Sequence, residues 1–298
     1  CGITGFLGGD FTNDQLSNAI LEEMSGQLVK RGPDSAGVWL DSSSKIALGH
    51  RRLAVVDLSP AGYQPMTSGS KRYVMTYNGE IYNSNEIRNE LIKSRVTVNW
   101  RGHSDTETLL AGFDAWGIKE TVSRVTGMFA IAVWDKEVEQ LTVIRDRLGE
   151  KPLYYGWQGS GSNKVFLFGS ELKALKKHPQ FINDIDRGSL ALYMRYCYVP
   201  APHSIYKGIM KVEPGTIVTV TLQDSENKTE KYWNALDVVR TGAESPFDGT
   251  VAEVTNDLDI ALKKTISQQM MADVPLGAFL SGGIDSSAVV ALMQAQSS

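Results

Sequence analysis

Apolar residues along this chain fall into blocks of two kinds. From residue 14 to residue 30, Leu16, Ala19, Ile20, Met24, Leu28 and Val29 recur at about 3.6 residues, the period of a helix with one buried face. Most other blocks are nearly unbroken apolar runs of strand length, at 1–7, 35–40, 46–56, 72–77, 128–135, 140–146, 153–156 and 165–170. A strand covered on both faces reads in this way, so two sheets packed face to face under helices are expected. Further helices are predicted at 85–93 and 105–116, and late strands at 216–221 and 231–233. Beyond these the pattern changes. Residues 236–250 contain Gly, Ser and Pro without a clear period and read as a linker. A helical period resumes over 251–271, followed by a strand at 274–280, a Gly/Ser turn at 281–287 and a helix from Ser287. The predicted organisation is a mixed α+β domain over 1–235, the linker, and the incomplete start of an α/β domain over 251–298.

Composition narrows the function classes. The chain has 298 residues, 42% hydrophobic and 21% charged, ordinary values for a globular protein with a sizeable core. Its 30 basic and 34 acidic residues give a net charge of −4, and no basic cluster is interleaved with aromatics, so no nucleic-acid partner is expected. No apolar run approaches the roughly 20 residues of a membrane helix, and no signal peptide is read at the start. Two cysteines, Cys1 and Cys197, make no disulfide framework and suit a reducing, cytoplasmic compartment. Cys197 lies in the aromatic stretch from Leu192 to Tyr198 and is expected to be a small buried hydrophobe.

Cys1 is the strongest candidate for chemistry. Numbering from cysteine with no preceding methionine implies a removed initiator, unless the numbering reflects trimming. A free α-amine, with an ordinary pKa near 8, then lies within two bonds of the carbon bearing the thiol. One residue can thus be both nucleophile and base. Acyl transfer also needs donors for an oxyanion, each worth about 3 kcal/mol. Other residues have plainer alternatives. Asn78-Gly79 is a common hairpin turn, Asp105 can cap the helix that starts there, and His50 is expected to be structural. Arg51 and Arg52 adjoin on a strand and so point to opposite faces. The cluster Arg145-Asp146-Arg147 has no role derivable from its pattern.

A series of motifs then carries a resemblance: Cys1-Gly2-Ile3, Arg31-Gly32-Pro33-Asp34, Gly49-His50-Arg51-Arg52-Leu53, Gln64-Pro65-Met66, Asn78-Gly79-Glu80-Ile81-Tyr82-Asn83, Ser104-Asp105, the run from Arg145 to Tyr155 and the run from Ser170 to Leu175. In this order the chain resembles the glutaminase domain of class II glutamine amidotransferases, in the asparagine-synthetase branch. The resemblance implies an N-terminal-nucleophile hydrolase fold, an αββα sandwich. It implies that Cys1 attacks the glutamine side-chain amide, with the Asn78 side chain and the Gly79 N–H as oxyanion hole. Arg52 would pair with the α-carboxylate of glutamine, Glu80 and Asp105 would hold its ammonium, and the Val56 backbone would line the pocket. Arg offers a planar fork suited to a carboxylate, and two acids suit an ammonium.

Downstream, Ser281-Gly282-Gly283-Ile284-Asp285-Ser286-Ser287 opens a helix. Small residues before a helix N-terminus make an anion cradle, although this is no Walker loop. It is similar to the loop of ATP pyrophosphatases. That similarity implies ATP held by Ser281, Gly282, Gly283, Asp285, Ser286 and Ser287, Leu280 against the adenosine, and Asp285 on Mg²⁺. The bland alternative is a tight turn without ligand.

The resemblance implies a glutamine-dependent asparagine synthetase that amidates aspartate through an acyl-adenylate. The same machinery could instead serve another carboxylate, such as a sugar acid, and a non-enzymatic binding or regulatory relative is a third reading. Retention of Cys1, Asn78, Gly79, Arg52 and Asp105 together speaks against the last. Too few residues follow Ser287 to build an acceptor pocket, so a fragment of a longer chain is expected, unable to make asparagine alone. Oligomeric state is not readable from the residues; a homodimer is the working expectation.

Overall fold

A computed structural model describes residues 1–9, 11, 13–94, 98–224 and 226–297. Its strands are β1 (Gly2–Gly8), β2 (Ser35–Asp41), β3 (Ile46–Arg52), β4 (Met66–Thr67), β5 (Tyr73–Ile81), β6 (Gly127–Asp135), β7 (Gln140–Arg145), β8 (Tyr154–Gln158), β9 (Val165–Gly169), β10 (Met210–Lys211), β11 (Thr216–Val220) and β12 (Lys228–Lys231). The helices are α1 (Asp14–Gly26), α2 (Ser84–Lys93), α3 (Asp105–Trp116), α4 (Ile118–Arg124), α5 (Leu172–Leu175), α6 (Arg187–Tyr196), α7 (Ala235–Glu244), α8 (Val251–Gln269) and α9 (Ile284–Gln296).

The chain divides into two compact units, Cys1–Ala54 with Ser59–Asn234, and Val55–Leu58 with the chain from Ala235 onward. In the first, one antiparallel sheet runs β10-β8-β9-β1-β3-β2 and the other β12-β11-β7-β6-β5-β4. Alternation along each strand explains the unbroken apolar runs, because successive side chains serve different layers. On β6, Ala130, Ala132 and Trp134 enter the core shared by the two sheets, with Ile3 and Leu7 of β1 in the same cluster. Phe129, Ile131 and Val133, on the other face, pack with Ile87, Leu109 and Phe113 of α2 and α3. Outside the first sheet, Phe6 and Ala47 pack with Leu21 and Met24 of α1. The layers are therefore helix, sheet, sheet and helix, as the resemblance implies. Each fully buried Leu, Ile or Phe contributes about 1.5–3 kcal/mol.

Several expectations change. Cys197 is exposed, not buried: it sits at the C-cap of α6 with φ of +61°, where the chain turns left-handed. Strand β3 stops at Arg52, and the last strand is Lys228–Lys231 rather than 231–233. Tyr232 instead donates its hydroxyl to the Arg145 carbonyl. In the second unit, residues 274–280 form no strand. A strand needs a neighbour for its backbone groups, and the elements around them here are helices. Helix α9 starts at Ile284, three residues before Ser287, and α7 occupies much of the stretch expected as linker. Among the described residues no helix is long and apolar enough to cross a membrane.

Candidate active site

Cys1 lies at the head of β1, where Gly2 pairs with Arg51 of β3. Its α-amine donates to the Arg31 carbonyl (3.0 Å), and its Sγ lies against Leu53, 3.4 Å from the N–H and 3.5 Å from the carbonyl oxygen. Burial first, then the positive charges of Lys151 and Arg31, lower the amine pKa from 8.0 to about 6, against a smaller opposing effect of Asp34. An amine so placed is neutral, and able to accept a proton, at neutral pH.

The facing sheet brings β5 to the same end. His50 Nε2 meets the Tyr77 carbonyl oxygen at 3.0 Å, and Thr76 Oγ1 donates to the Gly49 carbonyl. Burial pushes the His50 pKa down to about 3, which keeps the ring neutral and structural. Residues 78–80 continue β5 from that junction, so Asn78-Gly79 is mid-strand and not a hairpin turn. Asn78 is buried, and its Nδ2 has no hydrogen-bond partner among the described residues. A buried amide donor left unpaired costs about 1–3 kcal/mol, so its aim calls for an acceptor. At Gly79 a Cβ would run into the Met128 carbonyl oxygen and Phe129 of β6, so only glycine lets the two strands approach this closely.

Two carboxylates stand beside this strand. Ser104, not Asp105, caps α3, by accepting from the Glu107 N–H. Asp105 is thereby freed to accept from the Tyr77 hydroxyl (2.7 Å) and the Ile81 N–H (2.9 Å). Desolvation raises its pKa, against the effect of those donors. Glu80 is pushed up to about 7, by desolvation first and then by the charge of Asp105, while Lys151 opposes both. Such a pair is primed for a cation. Arg52 is buried at the end of β3, donates to the Ser59 carbonyl (3.1 Å) and lies over the Tyr63 ring. Cys1, Arg52, Asn78, Gly79, Glu80 and Asp105 thus all belong to the first unit, whereas Val56 groups with the second.

Some supporting residues escaped the pattern of the sequence alone. Gln64 accepts from the Tyr77 N–H (2.6 Å) and donates to Thr106, tying β5 to α3; only its place in a motif marked it. The Arg145-Asp146-Arg147 cluster proves to be a loop keystone. Asp146 is buried and accepts from the N–H groups of Phe129, Leu148, Glu150 and Lys151. Arg145 donates to the carbonyls of Lys151, Val212 and Gly149. A buried salt-free Asp–backbone network has no periodic signature, so charge alone could not reveal it.

In the second unit, Ser281–Ser287 gather on one turn at the head of α9. Gly282 has φ of +81°, Gly283 is the N-cap without a side-chain cap, and the hydroxyls of Ser281 and Ser286 are 2.9 Å apart. Uncapped N–H groups, the helix dipole and paired hydroxyls fit a phosphate group. Leu280 is exposed beside the turn. No cluster of three His, Cys, Asp or Glu that could hold a metal occurs among the described residues. Asp285 alone therefore fits Mg²⁺ only as one ligand to an ion carried on phosphates.

The four-layer fold, with a cysteine at the head of an interior strand, defines the class of N-terminal-nucleophile hydrolases. Residues 1–233 match the family model for the glutamine amidotransferase domain, and the chain belongs to that family of enzymes. Residues 257–298 match the asparagine synthase family. Over 98% of its length the chain is 38% identical to asparagine synthetase [glutamine-hydrolyzing] 3 of Bacillus subtilis, of which it covers 45%. It is 36% identical to asparagine synthetase [glutamine-hydrolyzing] 1 of the same organism, over 92% of this chain and 40% of that one. The chain therefore spans less than half the length of these curated relatives. A solved structure of glutamine phosphoribosylpyrophosphate amidotransferase from B. subtilis aligns with a TM-score of 0.56 at 17% identity, over 99% of this chain and 64% of that one, a likeness of fold alone.

Proposed function

We propose that this chain is the glutamine-hydrolysing part of a glutamine-dependent asparagine synthetase. The observation that carries the reading is the buried Asn78 Nδ2, without a partner among the described residues, beside Gly79 at the end of the sandwich where Cys1 opens β1. With Cys1 as the mature N-terminus, its amine takes the thiol proton while Sγ attacks the glutamine side-chain carbonyl carbon. The Asn78 Nδ2 and the Gly79 N–H donate to the resulting oxyanion. The amine then gives its proton to the departing nitrogen, which leaves as ammonia with the S–C bond retained as a thioester. Water, deprotonated by the same amine, cleaves the thioester to glutamate and restores the thiol. Arg52 holds the substrate carboxylate, and Glu80 and Asp105 hold its ammonium.

The turn at 281–287 is the pyrophosphate-binding part of an ATP site, with Leu280 against the adenosine and Asp285 contacting phosphate-borne Mg²⁺. The full polypeptide would use ATP to activate aspartate as its acyl-adenylate, which the ammonia intercepts. The names of the curated relatives and the asparagine synthase match support this choice of acceptor. The test is glutamate release from glutamine, followed by ATP-dependent amidation assays with aspartate and with sugar acids in the full-length polypeptide. Cys1→Ala is expected to lower glutamate release by roughly 10⁴-fold. Undiminished release in that variant would overturn the assignment of the nucleophile, and amidation of a sugar acid but not aspartate would overturn the acceptor.

A further inference from the structure

The hydroxyl of Tyr77, buried on β5 beside Asn78, has no part in the chemistry proposed for Cys1. Tyr77 and Ile81 lie four residues apart on the strand and so share one face, where both join the core that holds Ile87 of α2 and Leu109 and Phe113 of α3. From that face the Tyr77 hydroxyl donates to Asp105 Oδ2 at 2.7 Å, and the Ile81 N–H donates to the same oxygen at 2.9 Å. Two donors from one strand thus fix the carboxyl group in the first turn of α3, against Ile81 and next to Glu80.

The tyrosine is itself held. Gln64 Oε1 accepts from its N–H (2.6 Å), and His50 Nε2 meets its carbonyl oxygen (3.0 Å). Gln64 Nε2 donates to Thr106 Oγ1 (3.2 Å), one residue beyond Asp105. The apolar cluster and the Gln64–Thr106 bond already join β5 to α3, so docking strand on helix does not require a phenol against a carboxyl. Burying two polar groups is costly unless they satisfy each other, which makes the Tyr77–Asp105 bond a choice of position and not of packing.

We infer that Tyr77 sets the preference of the glutamine site for an α-amino acid: its hydroxyl fixes Asp105 where the substrate ammonium is received. The inference rests on the reading of Asp105 as an ammonium-holding carboxylate of a glutaminase. With its hydroxyl given to Asp105, Tyr77 is a positioning residue that acts through that side chain. Burial favours the neutral carboxyl of Asp105, and of the donors that oppose it the Tyr77 hydroxyl acts most strongly. Burial first, and then the charge of Asp105, push the Tyr77 phenol well above its ordinary pKa, so it stays a donor. Phenylalanine would keep the ring in the core and leave Oδ2 without its side-chain donor. The carboxyl would then turn more freely and bind a proton more readily in place of an ammonium. Glu80 remains in such a variant, so the expected loss is partial.

The test uses the full-length polypeptide and two ligands that differ only at the α-carbon: glutamate, which bears the ammonium, and glutarate, which lacks it. Neither carries the amide that Cys1 attacks, so calorimetric titration reads binding without turnover. Wild type is expected to bind glutamate the more tightly. Tyr77→Phe is expected to weaken glutamate about tenfold, the loss of one hydrogen bond to a charged group, and to leave glutarate unchanged. Steady-state kinetics should show the same change as a raised KM for glutamine with little change in kcat. On an Asp105→Asn background the Tyr77 exchange is expected to have no further effect on glutamate. Thermal midpoints check folding. If Tyr77→Phe alone does not fold, the double variant, which leaves no buried carboxylate short of a donor, is compared with Asp105→Asn, and a difference in their preference for glutamate over glutarate overturns the inference. A folded Tyr77→Phe protein that keeps the wild-type preference would overturn it too, as would equal losses for the two ligands, the mark of a merely structural role. A wild-type protein that binds glutarate as tightly as glutamate would instead overturn the reading of Asp105 as an ammonium site.

Discussion

The two units of this chain reach their candidate sites by different means. In the first, the sandwich holds the backbone of Asn78 and Gly79 by the pairing of β5 with β6, Asp105 by Tyr77 and Ile81, and Cys1 by the Arg31 carbonyl and Leu53. In the second, the turn at 281–287 rests on local geometry, with hydrogen bonds inside the turn and the head of α9. Its helices also bury little: Val239, Val251, Leu258, Ile260 and Ile284 are exposed, and only Ile266 of α8 is buried. A pre-organised constellation can stabilise developing charge without rearranging, whereas a turn of this kind supplies backbone donors, hydroxyls and a dipole. On the proposed function, chemistry is built into the first unit and ligand cradling is assigned to the turn of the second.

The sharpest blow to that contrast would fall on Asn78. Asn78→Ala removes the one buried donor that lacks a partner on β5 and is expected to lower kcat for glutamine hydrolysis by about 10²–10³-fold, with a smaller effect on KM. Steady-state kinetics and a thermal melt check this together. Since the wild-type Nδ2 has no hydrogen-bond partner among the described residues, stability should hardly change. A large drop in the melting midpoint with unchanged kcat would mean that Asn78 serves packing, and the pre-organised constellation would lose its centre.

Acidity is expected to act next most strongly. The Cys1 amine must be neutral to accept the thiol proton, and its pKa is held at about 6, so kcat/KM should fall as pH drops through 6. Glu80, at about 7, is protonated below neutrality and loses its hold on an ammonium, so KM should rise earlier, as pH drops through 7. A pH profile of kcat and KM separates the two limbs. If activity persisted unchanged at pH 5, the amine could not be the base.

Much of this was legible in the residues and some was not. Unbroken apolar runs such as 128–134 predicted sheets covered on both sides, because a strand between two packed layers has no polar face to show. The resemblance assigned Cys1, Asn78, Gly79 and Asp105 to one site, and all four fall in the first unit. Pattern failed where meaning depends on distant partners. Nothing in Arg145-Asp146-Arg147 announces that Asp146 gathers four N–H groups, or that Lys151 is thereby fixed. Cys197 was misread because an aromatic neighbourhood in sequence became an exposed helix end in space. Residues 274–280 were misread because apolar composition permits a strand but cannot supply a neighbouring one.

The gentlest test probes the second unit at Gly282. Its φ of +81° is a conformation that costs a residue with a Cβ about 1–2 kcal/mol, yet a Cβ there would meet no atom within 4 Å. Gly282→Ala therefore isolates backbone strain from crowding. If the turn cradles phosphate through its backbone, the variant should weaken nucleotide binding in the full-length polypeptide by about tenfold, since 1.4 kcal/mol is tenfold in affinity. Glutamine hydrolysis should stay at the wild-type rate, because every residue assigned to it except Val56 belongs to the other unit. Titration with a non-hydrolysable ATP analogue, beside a glutaminase assay, reads both. Equal losses in the two measurements would show that the glutaminase depends on the turn, and that the separation of chemistry from cradling does not hold.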